Sequence, residues 1–373
     1  MCPKIGVLLS KLHSLFSNNI NANAARLKCL SFLVSAILQH RTVNLVILST
    51  SDDGKEVSNQ TRYRRLQDFF LNAKLCFQSI GSFILSRIPL PPEGYTLAMD
   101  RTNWKFGRKH INFLVVSIVV GTVSIPLVWK VLPKKTKRGN SNTAQRKGLT
   151  NRLLRILPAT EIYVLTMDRE FIGREWFKWL DLKGIGYIAR IKSNTIISDQ
   201  HAVAFAVSRK YKIRGTQAAF GLKLFFACKR IMGTGARSEQ LLLLSNRFQG
   251  KEALQLYRKR WGIERLFWHL KQKGFDLEAT HMTSAPKLDK LFALLAIAFL
   301  VSFAWGCQIR NSQQQESAQS KRKSLFRLGL EDILRISQAI QSKDKDRRNK
   351  RRKELTCFKR WILGDIFHAI FLV

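Results

Sequence analysis

Leu291 to Cys307, LFALLAIAFLVSFAWGC, is a run of 17 residues without a charge. Such a run must sit in a bilayer or at the centre of a folded unit, because nothing else removes so much apolar surface from water. Its length is at the lower limit for a spanning helix. Ser302, Gly306 and the isolation of the run suit a protein interior, so we expect a buried core helix and no membrane partner. Surrounding it takes many apolar neighbours. The chain has 373 residues, 46% hydrophobic and 10% aromatic, enough for a sizeable core and, at roughly 150 residues per domain, for more than one domain.

The net charge is +39, from 64 Lys and Arg against 25 Asp and Glu, spread along the whole chain. Cations that displace condensed counterions supply most non-specific affinity for nucleic acid, so a polyanion is the natural partner. A ribosomal-type basic protein or a membrane-surface protein would share this balance. Cys2, Cys29, Cys76, Cys228, Cys307 and Cys357 are scattered, with no CxxC pair and no His at zinc-finger spacing. They read as reduced thiols of a cytoplasmic protein. The apolar patch from Ile5 to Leu9 is too short for a signal-peptide core.

Residues 1–93 read as a helical, basic region. NQTRYRRLQDFFLNAKLCF (59–77) sets Leu66, Phe69, Phe70, Leu75 and Phe77 at helical spacing, with Arg62, Arg64 and Arg65 near its start. Pro89, Pro91, Pro92 and Gly94 then mark a linker. Strand-like runs follow at 96–99, 111–120 and 122–132, the last two flanking Gly121. A basic loop, 134–143, leads to a helix near 144–157 with Asn142 as N-cap and Gln145 three residues on. A strand at 161–167, a helix near 170–183 and a strand at 186–192 complete the block. This order predicts an α/β fold, a mixed sheet with helices on its faces. Residues 194–248 read as a β-rich insertion, with apolar runs at 202–207, 219–227 and 241–244, before a long helix near 251–273. Residues 308–373 form a basic tail, with a polar linker at 312–320 and the run DKDRRNKRRK at 344–353.

Asp100 and Asp168 each follow an apolar strand, where side chains can converge on a ligand. Alone, each could equally initiate a turn. On the helix near 251–273, Tyr257, Arg260, Glu264 and Lys271 fall at roughly 0°, −60°, −20° and −40°, one narrow stripe beside an apolar face. A phenol, a guanidinium, a carboxylate and an ammonium in line can hold a cation and grip phosphates.

Tyr257, Arg260, Glu264 and Lys271, separated by two, three and six residues, match the Tyr-Arg-Glu-Lys signature of the bacterial insertion-sequence 4 family of transposases. LAMDRTNWKFG (97–107) looks like that family's first-aspartate block and MDREFIG (167–173) resembles its second. The resemblance runs from about Tyr95 to Trp305. It implies an RNase H-like catalytic core over 94–193 and 249–307, interrupted by the insertion 194–248. It also implies an Asp-Asp-Glu triad, which carries over to Asp100, Asp168 and Glu264. Tyr257, Arg260 and Lys271 would be its DNA-handling companions. Arg169 and Trp104, beside the aspartates, are expected to touch DNA or to support the site. Arg62, Arg64 and Arg65 are expected to bind DNA on charge and helical pattern alone, since residues 1–93 carry no recognisable motif. Some relatives stack a flipped base on a tryptophan of the insertion. Here no Trp lies between Trp179 and Trp261, which leaves Phe205, Tyr211, Phe220, Phe225 and Phe226, each otherwise a core residue.

Three carboxylates have a physical reason of their own. Phosphodiester hydrolysis needs an activated water and a stabilised leaving oxygen, and two metal ions roughly 3.5–4 Å apart can supply both. Hard cations such as Mg²⁺, or Mn²⁺ in its place, take oxygen ligands. The freed 3′-hydroxyl can then serve as the next nucleophile. The resemblance implies that the protein is a DNA transposase of the bacterial, nucleoid-associated cytoplasm. It would work on double-stranded DNA as a homodimer that brings two element ends together. A nuclease of the same fold and a non-catalytic DNA-binding relative are the alternatives.

Overall fold

The structure, a computed structural model, describes residues 6–51, 56–133, 140–206, 212–232, 238–312 and 323–341. The chain divides into two compact units. One gathers Met1–Pro89, Lys105–Lys109 and Phe267–Val373, the other Leu90–Trp104 and His110–Leu266.

The second unit is built on a mixed sheet. Its strands are β1 (Tyr95–Phe106), β2 (Lys109–Val120), β3 (Val123–Val131), β4 (Ile162–Met167) and β5 (Tyr187–Arg190), then β8 (Lys212–Ala219), β9 (Leu222–Met232) and β10 (Ser238–Ser245). β6 (Ile196–Ile197) and β7 (Gln200–His201) form a separate two-stranded ribbon. The eight strands lie in the order β3-β2-β1-β4-β5-β10-β9-β8. β4 runs parallel to both β1 and β5, while β10 pairs antiparallel with β5 and β9. The sheet is flanked by helices, as the strand and helix order predicts. Successive side chains of a strand point to opposite faces, and β4 and β5 use both. Val164 and Ile188 pack into a core with Leu254, Leu256 and Tyr257 of α8 (Gly250–Lys259). One residue away, Met167 accepts from the indole of Trp176, and Tyr187 stacks on Phe177, both on α7 (Arg174–Leu182).

Before α7 comes α6 (Thr143–Leu154), whose start is fixed as expected: Asn142 and Gln145 form a reciprocal capping box. The run at 202–206 is a 3-10 helix, not a strand, and the strands after it are longer than their apolar cores. β1 corrects another expectation. It does not stop before Asp100 but continues to Phe106, because Thr102 and Trp104 keep an alternating buried face through the polar residues.

The first unit is helical: α1 (Gly6–Asn19), α2 (Ala24–His40), α3 (Leu45–Ser49), α4 (Asn59–Asn72), α5 (Phe77–Leu85), α10 (Ala285–Ser312) and α11 (Leu325–Gln341). Residues 59–77 are thus not one helix, since α4 ends at Asn72 and α5 begins afresh at Phe77. α10 contains the uncharged run. It is long and apolar enough to cross a membrane, with mean hydropathy 2.1, yet 89% of that window is buried within the protein. It packs against α2, α4, α5 and α11. The crossing with α11 is close: a Cβ on Gly306 would collide with the Leu325 carbonyl, and one on Gly329 with that of Ser302. The basic run 344–353, the linker residues 313–320, most of the loop 134–143, Tyr211, Cys2 and Cys357 lie outside the described residues.

Candidate active site

The β1–β4 pairing ends at Met99↔Met167 and the β4–β5 pairing at Met167↔Ala189. The next residues, Asp100 on β1, Asp168 just past the end of β4 and Arg190 on β5, therefore follow side by side. By alternation they point to the same face as Val164 and Ile188, the face that α8 covers. The alternation delivers two carboxylates and a guanidinium beneath one helix.

That helix supplies the rest. The expected continuous helix 251–273 is instead α8, α9 (Trp261–Trp268) and a π turn (His269–Lys273). A π turn inserts an extra residue per turn, so the stripe drawn at a constant 100° does not extend to Lys271. Within α8 and α9 it holds. Arg260 Nη1 donates to Asp100 Oδ2 at 2.8 Å, and Nη2 to Glu264 Oε1 at 2.5 Å. Tyr257 Oη donates to Asp168 Oδ1 over a long 3.5 Å, and the Arg260 guanidinium lies 5.5 Å from the Tyr257 ring centre. Gly262 lets α9 approach β3, since a Cβ there would stand 2.9 Å from Ser124 Oγ and 3.0 Å from the Val123 carbonyl carbon. Arg265 Nη1 donates to the Thr122 carbonyl at 3.1 Å and ties α9 to the turn that leads into β3.

The electrostatics at Asp100 are those of a buried carboxylate with both a guanidinium and two further carboxylates near it. Burial pushes the Asp100 carboxyl up to about 6. Arg260 and the Arg101 N–H pull it down, while Asp168 and Glu264 push it further up. Burial works against the Arg260 charge, but Tyr257, Asp100, Asp168 and Glu264 together hold its proton more firmly than usual. Burial also raises the Tyr257 phenol, with Arg260 and Arg190 opposing, so it stays a hydrogen-bond donor. Among the described residues, no three His, Cys, Asp or Glu are grouped closely enough to hold a metal ion by themselves. Asp100, Asp168 and Glu264 are linked instead through Arg260 and Tyr257. Their oxygen donors and mutual repulsion suit a hard divalent cation.

The other expected residues fall in different settings. Trp104 is buried, stacked on Phe113 at 5.7 Å, and so packs the core of its unit rather than facing DNA. Arg169 is exposed in the turn after β4. Phe205 and Phe226 are buried against each other and Phe220 packs edge-on to Phe177, as core residues do. Lys271 belongs to the helical unit, where it pairs with Glu278 at 3.2 Å. Arg62, Arg64 and Arg65 line a cleft of about 750 Å³ between α2 and α4, with Arg26 and Lys28 opposite and Phe32, Leu66 and Phe69 along it. Arg64 and Arg65 are exposed, whereas Arg62 is buried with its Nη1 on Asn59 Oδ1.

Sequence reasoning missed Arg190, which is paired with Glu239 on β10 and whose charge reaches Tyr257. Aligning YIAR against VLTM as neighbouring parallel strands would have found it. It also passed over Arg101, Arg146 and Glu170, which surround the aspartates. A protein family described as "Transposase DDE domain" matches residues 87–301, more than half of the chain. Among curated proteins, no sequence matches.

Proposed function

Since this chain belongs to the family of transposases with a DDE domain, we propose that it cuts and joins the ends of a mobile DNA element, with Asp100, Asp168 and Glu264 as its acidic triad. The observation that carries this reading is the placement of Asp100 and Asp168 directly after the last β1–β4 pair, with Arg260, between α8 and α9, reaching both Asp100 and Glu264. The Tyr257, Arg260, Glu264 and Lys271 spacing supports a reading within the insertion-sequence 4 group.

Mg²⁺, with Mn²⁺ able to substitute, would be held by the three carboxylates and would activate water and stabilise the leaving oxygen. The residues of the chain prepare the phosphate. Arg260 presents a planar fork of donors matched to two phosphate oxygens. Its present partners are carboxylates, so an arriving scissile phosphate exchanges one set of oxygens for another without leaving the guanidinium unpaired. Tyr257, kept protonated by burial, offers a further donor, and Arg190 a second cation on the same face. The burial of Asp100 strengthens each of these interactions by lowering the local dielectric. The cleft of Arg26, Lys28, Arg64 and Arg65 would hold double-stranded DNA by its backbone. Two copies of the chain would bring two element ends together, in the nucleoid of a bacterial cytoplasm.

The test is incubation of the protein with Mg²⁺ and a DNA fragment carrying the element's own ends, followed by sequencing of the products. Cleavage at the ends with joining into a target supports the reading. Nicking that is indifferent to the ends would mark a nuclease, and binding without cleavage a non-catalytic relative.

A further inference from the structure

The residues immediately beyond the two aspartates are tied to each other and to α6 by a network the proposed chemistry does not use. Arg101 Nε donates to both carboxylate oxygens of Glu170 at 2.6 Å, with the two side chains only 14% and 17% exposed. Arg101 Nη2 donates to Asn140 Oδ1 at 3.1 Å, and Ser141 Oγ to Glu170 Oε1 at 3.2 Å. Beneath them Arg146, 5% exposed, donates from Nε to Ser141 Oγ at 3.0 Å. Its Nη2 donates to the carbonyls of Ser141 and Glu170, both at 2.7 Å, and Nη1 to that of Ile172 at 3.4 Å. The guanidinium also lies 5.3 Å from the ring centre of Phe171.

A buried arginine spent on backbone carbonyls is an expensive way to fill a core, since desolvation works against its charge. What it secures is the path of residues 170–172, directly after Asp168. The Arg101–Glu170 pair secures the other dimension, the spacing of that path from the residue directly after Asp100. We infer that Arg101, Glu170 and Arg146 are positioning residues that fix the separation and direction of the Asp100 and Asp168 carboxylates, and so tune how tightly this site takes divalent cations. The inference rests on the triad assignment. Partners behind metal ligands, when replaced, typically weaken metal affinity by roughly ten- to a hundredfold.

The experiment is a titration of the DNA-free full chain with Mn²⁺, followed by paramagnetic resonance and calorimetry. Thermal unfolding is recorded alongside. The parent, Asp168→Asn, Glu170→Gln, Arg146→Lys and Arg101→Gln proteins are compared. Glu170→Gln keeps the shape and one acceptor oxygen while losing the other and the charge, and Arg146→Lys keeps charge, so the fold is expected to survive in both. The parent should bind Mn²⁺ and Asp168→Asn should lose it. Glu170→Gln and Arg146→Lys should bind with dissociation constants raised on the order of tenfold or more. Folded variants with the parent's Mn²⁺ affinity, even if they melt earlier, would overturn the positioning role and leave the triad standing. A parent that takes up no Mn²⁺, or an Asp168→Asn protein that binds as the parent does, would overturn both.

Discussion

Arg260 and Asp100, 160 positions apart in the sequence, are joined by a 2.8 Å charged hydrogen bond in which the guanidinium is almost fully buried. Breaking a buried ion pair from one side leaves the other charge uncompensated and typically costs about 3–5 kcal/mol. Here Asp168 and Glu264 add their repulsion once the arginine is gone. Arg260→Ala should therefore lower the thermal midpoint in the absence of divalent ions. Mg²⁺ should raise the midpoint more in the variant than in the parent, because a bound cation restores the missing charge. Equal shifts in both proteins would mean that the three carboxylates do not share one cation site.

Gly262 offers a purely geometric handle on the same site. Gly262→Ala places a methyl 2.9 Å from Ser124 Oγ and 3.0 Å from backbone, so α9 must move off β3. Cleavage is expected to fall at least tenfold, because Glu264 rides on that turn, while DNA affinity stays within about twofold. A variant that cleaves as well as the parent would show that the placement of α9 tolerates such a shift.

How much of this was legible in the sequence depends on which residues are considered. The apolar runs at 96–99, 161–167 and 186–192 were readable as strands, and Asn142 with Gln145 announced the start of α6. Pairing order was not readable, because nothing local says that β1 lies between β2 and β4. Arg190 therefore went unnoticed as a neighbour of Asp168. The Tyr257, Arg260 and Glu264 stripe survived because it spans only two turns, over which a small change in helix twist accumulates little error. The extrapolation to Lys271 crossed a π turn that no residue type signals. Trp104 was expected to touch DNA or to support the site because the strand was cut short before it. Once β1 runs to Phe106, alternation buries that ring.

The cleft between α2 and α4 makes a prediction about salt. On duplex DNA the logarithm of the binding constant should fall with the logarithm of salt by about 0.9 for each phosphate neutralised. Arg64→Ala and Arg65→Ala, both exposed in the cleft, should each flatten that slope by about 1 and weaken binding to all sequences alike. An unchanged slope in the double variant would remove the cleft from the DNA path.

Lys290 predicts stability rather than binding. It is 7% exposed, and its Nζ donates to the carbonyls of Phe69, Phe70 and Leu71 at 3.4, 2.9 and 3.4 Å, closing the open end of α4 from α10. Lys290→Met keeps the stem and deletes the donors. It should cost about 1–3 kcal/mol in denaturant unfolding, the usual penalty for leaving buried carbonyls without a donor. No loss would mean that water replaces the ammonium without penalty.

If Asp100, Asp168 and Glu264 work as one catalytic set, Glu264→Gln must all but abolish cleavage without disturbing the site. The change keeps the shape of the side chain and its bond from Arg260 while removing the charge. DNA cleavage should be measured in Mg²⁺ at saturating DNA, so that lost binding is not mistaken for lost chemistry. The rate is expected to fall on the order of a thousandfold, equivalent to several kcal/mol of transition-state stabilisation, with DNA affinity unchanged. Cleavage by Glu264→Gln at the parent's rate would contradict the assignment.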